Sequence, residues 1–196
     1  MRMRLLLSGV LALSTLAWTG LGAALEVAPD ASHLAEARQL VRTFASNLKK
    51  ELKAALKKGG PVTAIETCHL KAPDIAKDLS NTSHWEVRRA SLKVRNLEDA
   101  PDKWETTVLE RFEALNKADA PEEAMEYSEV VPGKNGGRVF RYMKAIPTIR
   151  ICLKCHGETI DPKVQKQLDS LYPFDQATGF TENDLRGAFS LSLPLE

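Results

Sequence analysis

The sequence predicts an α+β domain in which a long N-terminal helix and several shorter helices flank an antiparallel sheet. Three observations predict it. Leu34, Ala37, Leu40, Val41, Phe44, Leu48, Leu52, Ala55 and Leu56 recur at three- and four-residue steps, the spacing of one helix face. Glu126 to Val131 and Arg138 to Ile146 read as strands joined by Pro132-Gly-Lys-Asn-Gly-Gly137, whose glycines and asparagine suit a hairpin turn. No strand–helix–strand alternation runs through the chain, so the strands pair without parallel crossovers. At 196 residues the chain is long enough for one domain with its own core.

The first segment stands apart from that domain. Met1-Arg-Met-Arg4 is basic, Leu5 to Leu16 is largely apolar, and Gly22-Ala23-Ala24 supplies small residues at a cleavage position. This is the pattern of a secretory signal peptide over residues 1–24, which places the domain of residues 25–196 in the periplasm. No later stretch approaches the ~18 apolar residues that a membrane span needs. Losing Arg2 and Arg4 from the 27 basic residues leaves 25 against 26 acidic ones. That balance offers no reason to expect nucleic acid or an anionic membrane as partner.

The first helix starts at Asp30 or Ser32, either of which can cap it, and ends near Lys58 at Gly59-Gly60. Pro61 opens a second helix at the favoured first position, with Ile65, Cys68, Ala72 and Ile75 on one face. Pro73 is expected to break or kink it, with a further helical turn from Asp74 to Leu79 and a loop at Asn81-Thr82-Ser83. Trp85 to Arg95 alternates as a strand, bent near Ala90-Ser91 where the apolar phase shifts. After a polar loop, Pro101 to Asn116 carries Trp104, Val108, Leu109, Phe112 and Leu115 on one helical side. Beyond the hairpin come a short helix over residues 161–171 and a last strand over residues 187–193.

Between hairpin and last helix lies Cys152-Leu153-Lys154-Cys155-His156, a C-x-x-C-H. In an exported protein this spacing points to one covalently attached haem c: Cys152 and Cys155 each form a thioether, and His156 ligates the iron. A zinc site would need a second C-x-x-C or a closely spaced His pair, and a thioredoxin-like motif would need a βαβ context. Neither is present in the sequence. The chain has three cysteines, so Cys68 is left over. An unpaired cysteine in an oxidising compartment needs an explanation, either as an inert buried thiol or as a ligand.

The iron's second axial ligand can be sought among Cys68, His69, His84, His33, Met125 and Met143. His33 and His84 fall where solvated side chains are expected, and Met125 and Met143 lie on or beside strands, where methionine fills core gaps. Cys68 and His69 project about 100° apart on one helix, so geometry must choose between them. Arg88, Arg89, Lys93 and Arg95 alternate along the expected strand as a solvated face, with Arg95 the candidate to bind a haem propionate.

Four segments carry a resemblance. Ala64-Ile-Glu-Thr-Cys-His-Leu-Lys-Ala-Pro73, Trp85-Glu-Val-Arg-Arg-Ala-Ser-Leu-Lys-Val-Arg-Asn96, Cys152-Leu-Lys-Cys-His-Gly157 and Asp184-Leu-Arg-Gly-Ala-Phe-Ser190 are similar, in this order, to a family of PAS-like single-haem c-type proteins. That family is also found as the extracytoplasmic sensor of membrane kinases and cyclases. The resemblance implies an antiparallel sheet of about five strands flanked by helices. It also implies that Cys68 ligates the iron opposite His156.

The expected function is that of an exported monohaem protein that senses redox state or a small gas, or carries electrons at low potential. A thiolate ligand favours ferric iron and so a low potential. The partner would be a separate redox or signalling protein. The alternative is a haem enzyme with an open iron site, such as a peroxidase or small-oxyanion reductase.

Overall fold

A computed structural model describes residues 30–134 and 136–195. The expected signal peptide, residues 1–24, lies outside the described residues. Helix α1, Ala31–Thr82, starts at Asp30, whose side chain accepts from the Ser32 N–H at 2.9 Å. It turns sharply at Gly59 (φ −154°, ψ 19°) and Gly60 (φ 73°, ψ −163°), where the second conformation favours glycine. The expected division into two helical segments is therefore present at the glycine pair. The break or kink expected at Pro73 does not interrupt the helix, which continues through it to Thr82, taking in Asn81-Thr82 as well. The Pro73 ring is exposed while Ala72 beside it is buried, and Ile75 and Leu79 pack on the core. This packing outweighs the one backbone hydrogen bond that proline forfeits.

Strands β1 (Glu86–Ala90), β2 (Glu126–Pro132), β3 (Arg138–Pro147) and β4 (Leu185–Leu195) form one antiparallel sheet in the order β1-β4-β3-β2. The fold is α+β, as expected, with four strands among the described residues where the resemblance implied about five. The strand expected over residues 85–95 stops at Ala90. Ser91 leaves the ladder because its N–H donates to the Asp99 carbonyl at 3.1 Å, folding residues 91–99 into a turn. That turn ends in a single 3₁₀ turn, Leu97–Asp99.

The sheet is covered on both faces, and the two-residue period of its strands divides the side chains between them. Phe140, Tyr142 and Leu191 meet Ala37, Val41 and Phe44 of α1, with Trp85 edge-on to Phe140. Met143, Ala145 and Ala188 meet Val108, Leu109 and Phe112 of α2, Lys103–Lys117. A third cluster joins Ile65, beyond the glycine turn, to Val164 and Leu168 of α4, Pro162–Leu171. A four-residue helix, α3 (Leu153–His156), lies between β3 and α4.

Two irregularities shape the end of the sheet where β1, β3 and β4 meet. Gly187 lies so close to β1 that a Cβ there would sit 2.5 Å from the Ala90 carbonyl oxygen. The register of β3 on β4 slips at the same place: Ile146 pairs with Gly187 and Pro147 with Leu185, leaving Arg186 as an extra, bulged residue.

On the α2 side the sheet carries a buried charge. Glu105 is wholly buried and accepts from Arg88 Nη1 at 2.7 and 2.6 Å, from Ser190 Oγ at 2.6 Å and from the Asp102 N–H at 2.8 Å. The last of these, with Asp102 accepting from the Glu105 N–H, forms a capping box that fixes the start of α2. Removing one member of such a pair strands the other. Glu105→Ala should lower the unfolding free energy by about 3–5 kcal/mol in chemical denaturation. A loss under about 1 kcal/mol, the range of an exposed pair, would contradict this account.

Candidate cofactor-binding site

The second part of α1, the start of β4, the turn after β1 and the segment around α3 enclose one pocket with about 1120 Å³ of space between atoms, its open mouth included. Its lining combines apolar side chains (Leu48, Leu52, Ile65, Ile146, Ile151, Phe189) with Cys68, Cys152, Cys155, His156 and the charged Arg89, Arg95, Asp99 and Arg186. The mixture of apolar walls and a few polar groups is that of a cofactor site.

His156 is held from behind. Its Nδ1 lies 2.7 Å from the Ala177 carbonyl oxygen. A carbonyl only accepts, so Nδ1 carries the proton and Nε2 keeps its lone pair. Burial, reinforced by Arg186 and Arg95, holds the imidazole's pKa well below the usual histidine range, so the ring is neutral. The Ala177 carbonyl is itself positioned. Its residue's N–H donates to Asp175 Oδ1 at 2.8 Å, and Asp175 Oδ2 accepts from Arg95 Nε at 3.0 Å. Arg95 Nη2 then donates to the carbonyls of Cys155 at 2.6 Å and Ala177 at 3.1 Å. The Arg95 and Asp175 side chains are only 11% and 7% exposed, so this pair is a buried clamp between the turn after β1 and the segment after α4. Phe180 completes the support, its N–H donating to the His156 carbonyl at 2.9 Å and its ring standing edge-on to the imidazole.

The candidates for a second ligand separate clearly. Cys68 lines the pocket together with Cys152, Cys155 and His156. His69 is not among the lining residues and stands edge-on to Tyr172 at 5.0 Å between ring centroids. His33 packs near Phe140, His84 is exposed, and Met125 and Met143 belong to the core cluster against α2. Burial pushes the Cys68 thiol up, with Arg89 as the main opposing charge, and pushes Cys155 up as well. Burial thus favours the protonated thiol at both positions.

The cationic residues do not form the solvated face expected of them. Arg88 turns to buried Glu105, Arg89 pairs with Asp99 at 3.2 Å, and Arg95 enters the clamp; Lys93 alone is exposed. The expected propionate contact at Arg95 meets a guanidinium whose Nε and Nη2 already serve protein acceptors. What remains is Nη1, which lies 3.5 Å from His156 Nε2. Sequence reading also passed over Asp99, Asp175 and Arg186. Burial raises the Asp99 carboxyl, against the pull of Arg89 and Arg186. Burial, with repulsion from Arg95 and Arg89, pushes Arg186 down to about 10. No local pattern marks these residues, because what distinguishes them is burial in a pocket built from distant segments.

The residues present fit the group that the C-x-x-C-H predicts: two thiols two residues apart, a neutral imidazole with Nε2 unprotonated, and apolar walls around them. The family model described as Tll0287-like, Tll0287, matches residues 22–194. The fold is similar to the crystal structure of the cyanobacterial haem protein Tll0287, with a TM-score of 0.62 and 22% identity over 85% of this chain and 98% of that one. Among curated proteins none matches this chain.

Two measurements test the site's electrostatics. Asp175→Ala leaves Arg95 buried without its partner, and the haem-free chain should lose about 3–5 kcal/mol in chemical denaturation; an unchanged midpoint would show that the clamp is not formed. The raised Asp99 carboxyl keeps its proton in the folded state above 3.8, where the unfolded chain has released it. Its contribution to stability therefore falls as pH rises from 3.8 through the raised folded value. Asp99→Asn should gain stability relative to the parent over that window, and a gain on acidification instead would reverse the assignment.

Proposed function

This chain belongs to the Tll0287-like family, and we propose that it is a periplasmic protein carrying one haem c. Cys152 and Cys155 would hold the haem covalently, and His156 and Cys68 would be the residues that ligate its iron. One observation carries this reading: the thiol of Cys68 on α1 and the Cys152, Cys155 and His156 side chains line a single pocket. When bound, haem supplies one-electron redox chemistry and a site for small ligands at iron.

The chain's own residues divide the work. The Ala177 carbonyl and the Arg95–Asp175 clamp hold the His156 ring and keep Nε2 unprotonated, so His156 is the fixed ligand. Cys68 is the exchangeable one. It must lose its proton to ligate; Arg89 and Arg95 favour that loss and burial opposes it. It also rides on the part of α1 beyond Gly60, where the helix changes direction, packs Ile65 on α4 and then Ile75 and Leu79 on the core.

With haem bound, Cys68 would hold the iron as a thiolate, and burial set against Arg89 and Arg95 would decide how readily it takes up a proton. This suits a sensor of redox state or of a small gas, and it also suits low-potential electron transfer. Output would pass to a separate redox or signalling protein.

The test is optical and electron paramagnetic resonance spectroscopy of the ferric, haem-loaded protein beside Cys68→Ala. A low-spin thiolate signature in the parent that is lost in the variant is the expected result. An identical spectrum in both would remove Cys68 as ligand, and high-spin iron in the parent would point to an open site.

A further inference from the structure

Arg186 is a half-buried cation with no carboxylate partner among the described residues, its guanidinium lying 5.5 Å from the Phe180 ring centre. It is the bulged residue of β4, turned out of the ladder where β4 slips against β3 and lining the pocket beside His156. Nη1 donates to Ser91 Oγ at 2.9 Å and lies 3.3 Å from the Lys93 carbonyl. Nε sits 3.2 Å from His156 Nδ1, but that nitrogen carries its own proton toward Ala177 and has no lone pair to offer. Nη2 has no hydrogen-bond partner among the described residues.

The nearby carboxylates are already committed, Asp99 to Arg89 and Asp175 to Arg95. Arg186 itself forms no ion pair among the described residues. Arg89, Arg95, Arg186 and Asp99 line the pocket and Asp175 stands behind Arg95, so three guanidinium groups meet two carboxylates and one positive charge is in excess. A charge drawn partly out of water without a partner is costly, and a bulge that turns it inward makes sense when a ligand brings the missing anion.

We infer that Arg186 anchors a propionate carboxylate of the haem, with the apolar side chains of the same pocket taking the macrocycle. The inference rests on the haem reading above and moves the propionate contact from Arg95, whose Nε and Nη2 are occupied, to a guanidinium with Nε and Nη2 free. The planar fork of an arginine suits a carboxylate, which can accept from two of its N–H groups at once.

The experiment titrates the full haem-free chain, its thiols kept reduced, with ferric protoporphyrin IX and with its dimethyl ester, followed by the Soret band. In the parent chain, masking the carboxylates should weaken binding by roughly tenfold or more. In Arg186→Gln that penalty should shrink to about twofold or less, and in Ser91→Ala, which removes a structural contact of Arg186 but keeps its charge, the penalty should persist. An undiminished penalty in Arg186→Gln would overturn the proposal.

The same variant has a second readout. Removing an uncompensated, half-buried cation should raise the denaturation midpoint of the haem-free chain. A variant that is less stable or unfolded would make Arg186 a structural strut and also overturn the proposal. Equal binding of acid and ester by the parent would remove the anchor while leaving the haem reading in place. Failure of the parent to bind either porphyrin would remove both.

Discussion

The hydrogen bond from His156 Nδ1 to the Ala177 carbonyl is the constraint on which the site depends. A four-residue helix cannot orient a side chain by its own stability, because so short a helix is barely past nucleation. The direction of the imidazole is set from outside, by a carbonyl that Asp175 holds and Arg95 braces. Arg95 also grips the Cys155 carbonyl, so one guanidinium fixes both the motif and its backstop. Loss of this pair would free both the Cys155 carbonyl and the Ala177 carbonyl that orients His156.

Helix α1 links that site to the rest of the fold. Its first part covers the sheet with Ala37, Val41 and Phe44, and its second part carries Cys68 into the pocket and packs Ile65 on α4. The Gly59–Gly60 turn lets one helix serve both surfaces. At the opposite wall, the slip of β4 on β3 frees Arg186 from the ladder, and the close approach of Gly187 to Ala90 tightens β1 against that bulge. Sheet geometry thus decides which charges face the pocket. The buried Glu105–Arg88 pair does the equivalent task on the far face, where it joins β1 to the first turn of α2.

Much of this was legible from local pattern. The face of α1, the strands of the hairpin and the apolar side of α2 follow from periodicity, and the ends near Asp30 and Gly59 follow from capping and turn chemistry. The strand after Trp85 was read too long, because Val94 is apolar and buried for a different reason: it packs in a folded-back turn, not in a ladder. The cost of Pro73, which predicts a break or kink, is plain in sequence, whereas the packing of Ala72, Ile75 and Leu79 that carries the helix through it is not.

By itself the sequence determined the α+β class, the order of the elements and the cysteine–cysteine–histidine spacing, since each depends on residues only a few positions apart. Tertiary structure decided that Cys68 rather than His69 lines the pocket, that Arg95 is consumed in a clamp, and that Arg186 is left with an unpaired charge. Those outcomes depend on burial and on partners up to 95 positions away, as Arg186 and Ser91 are. The energy of a charge is set by what surrounds it in space, and no short stretch of chain records that.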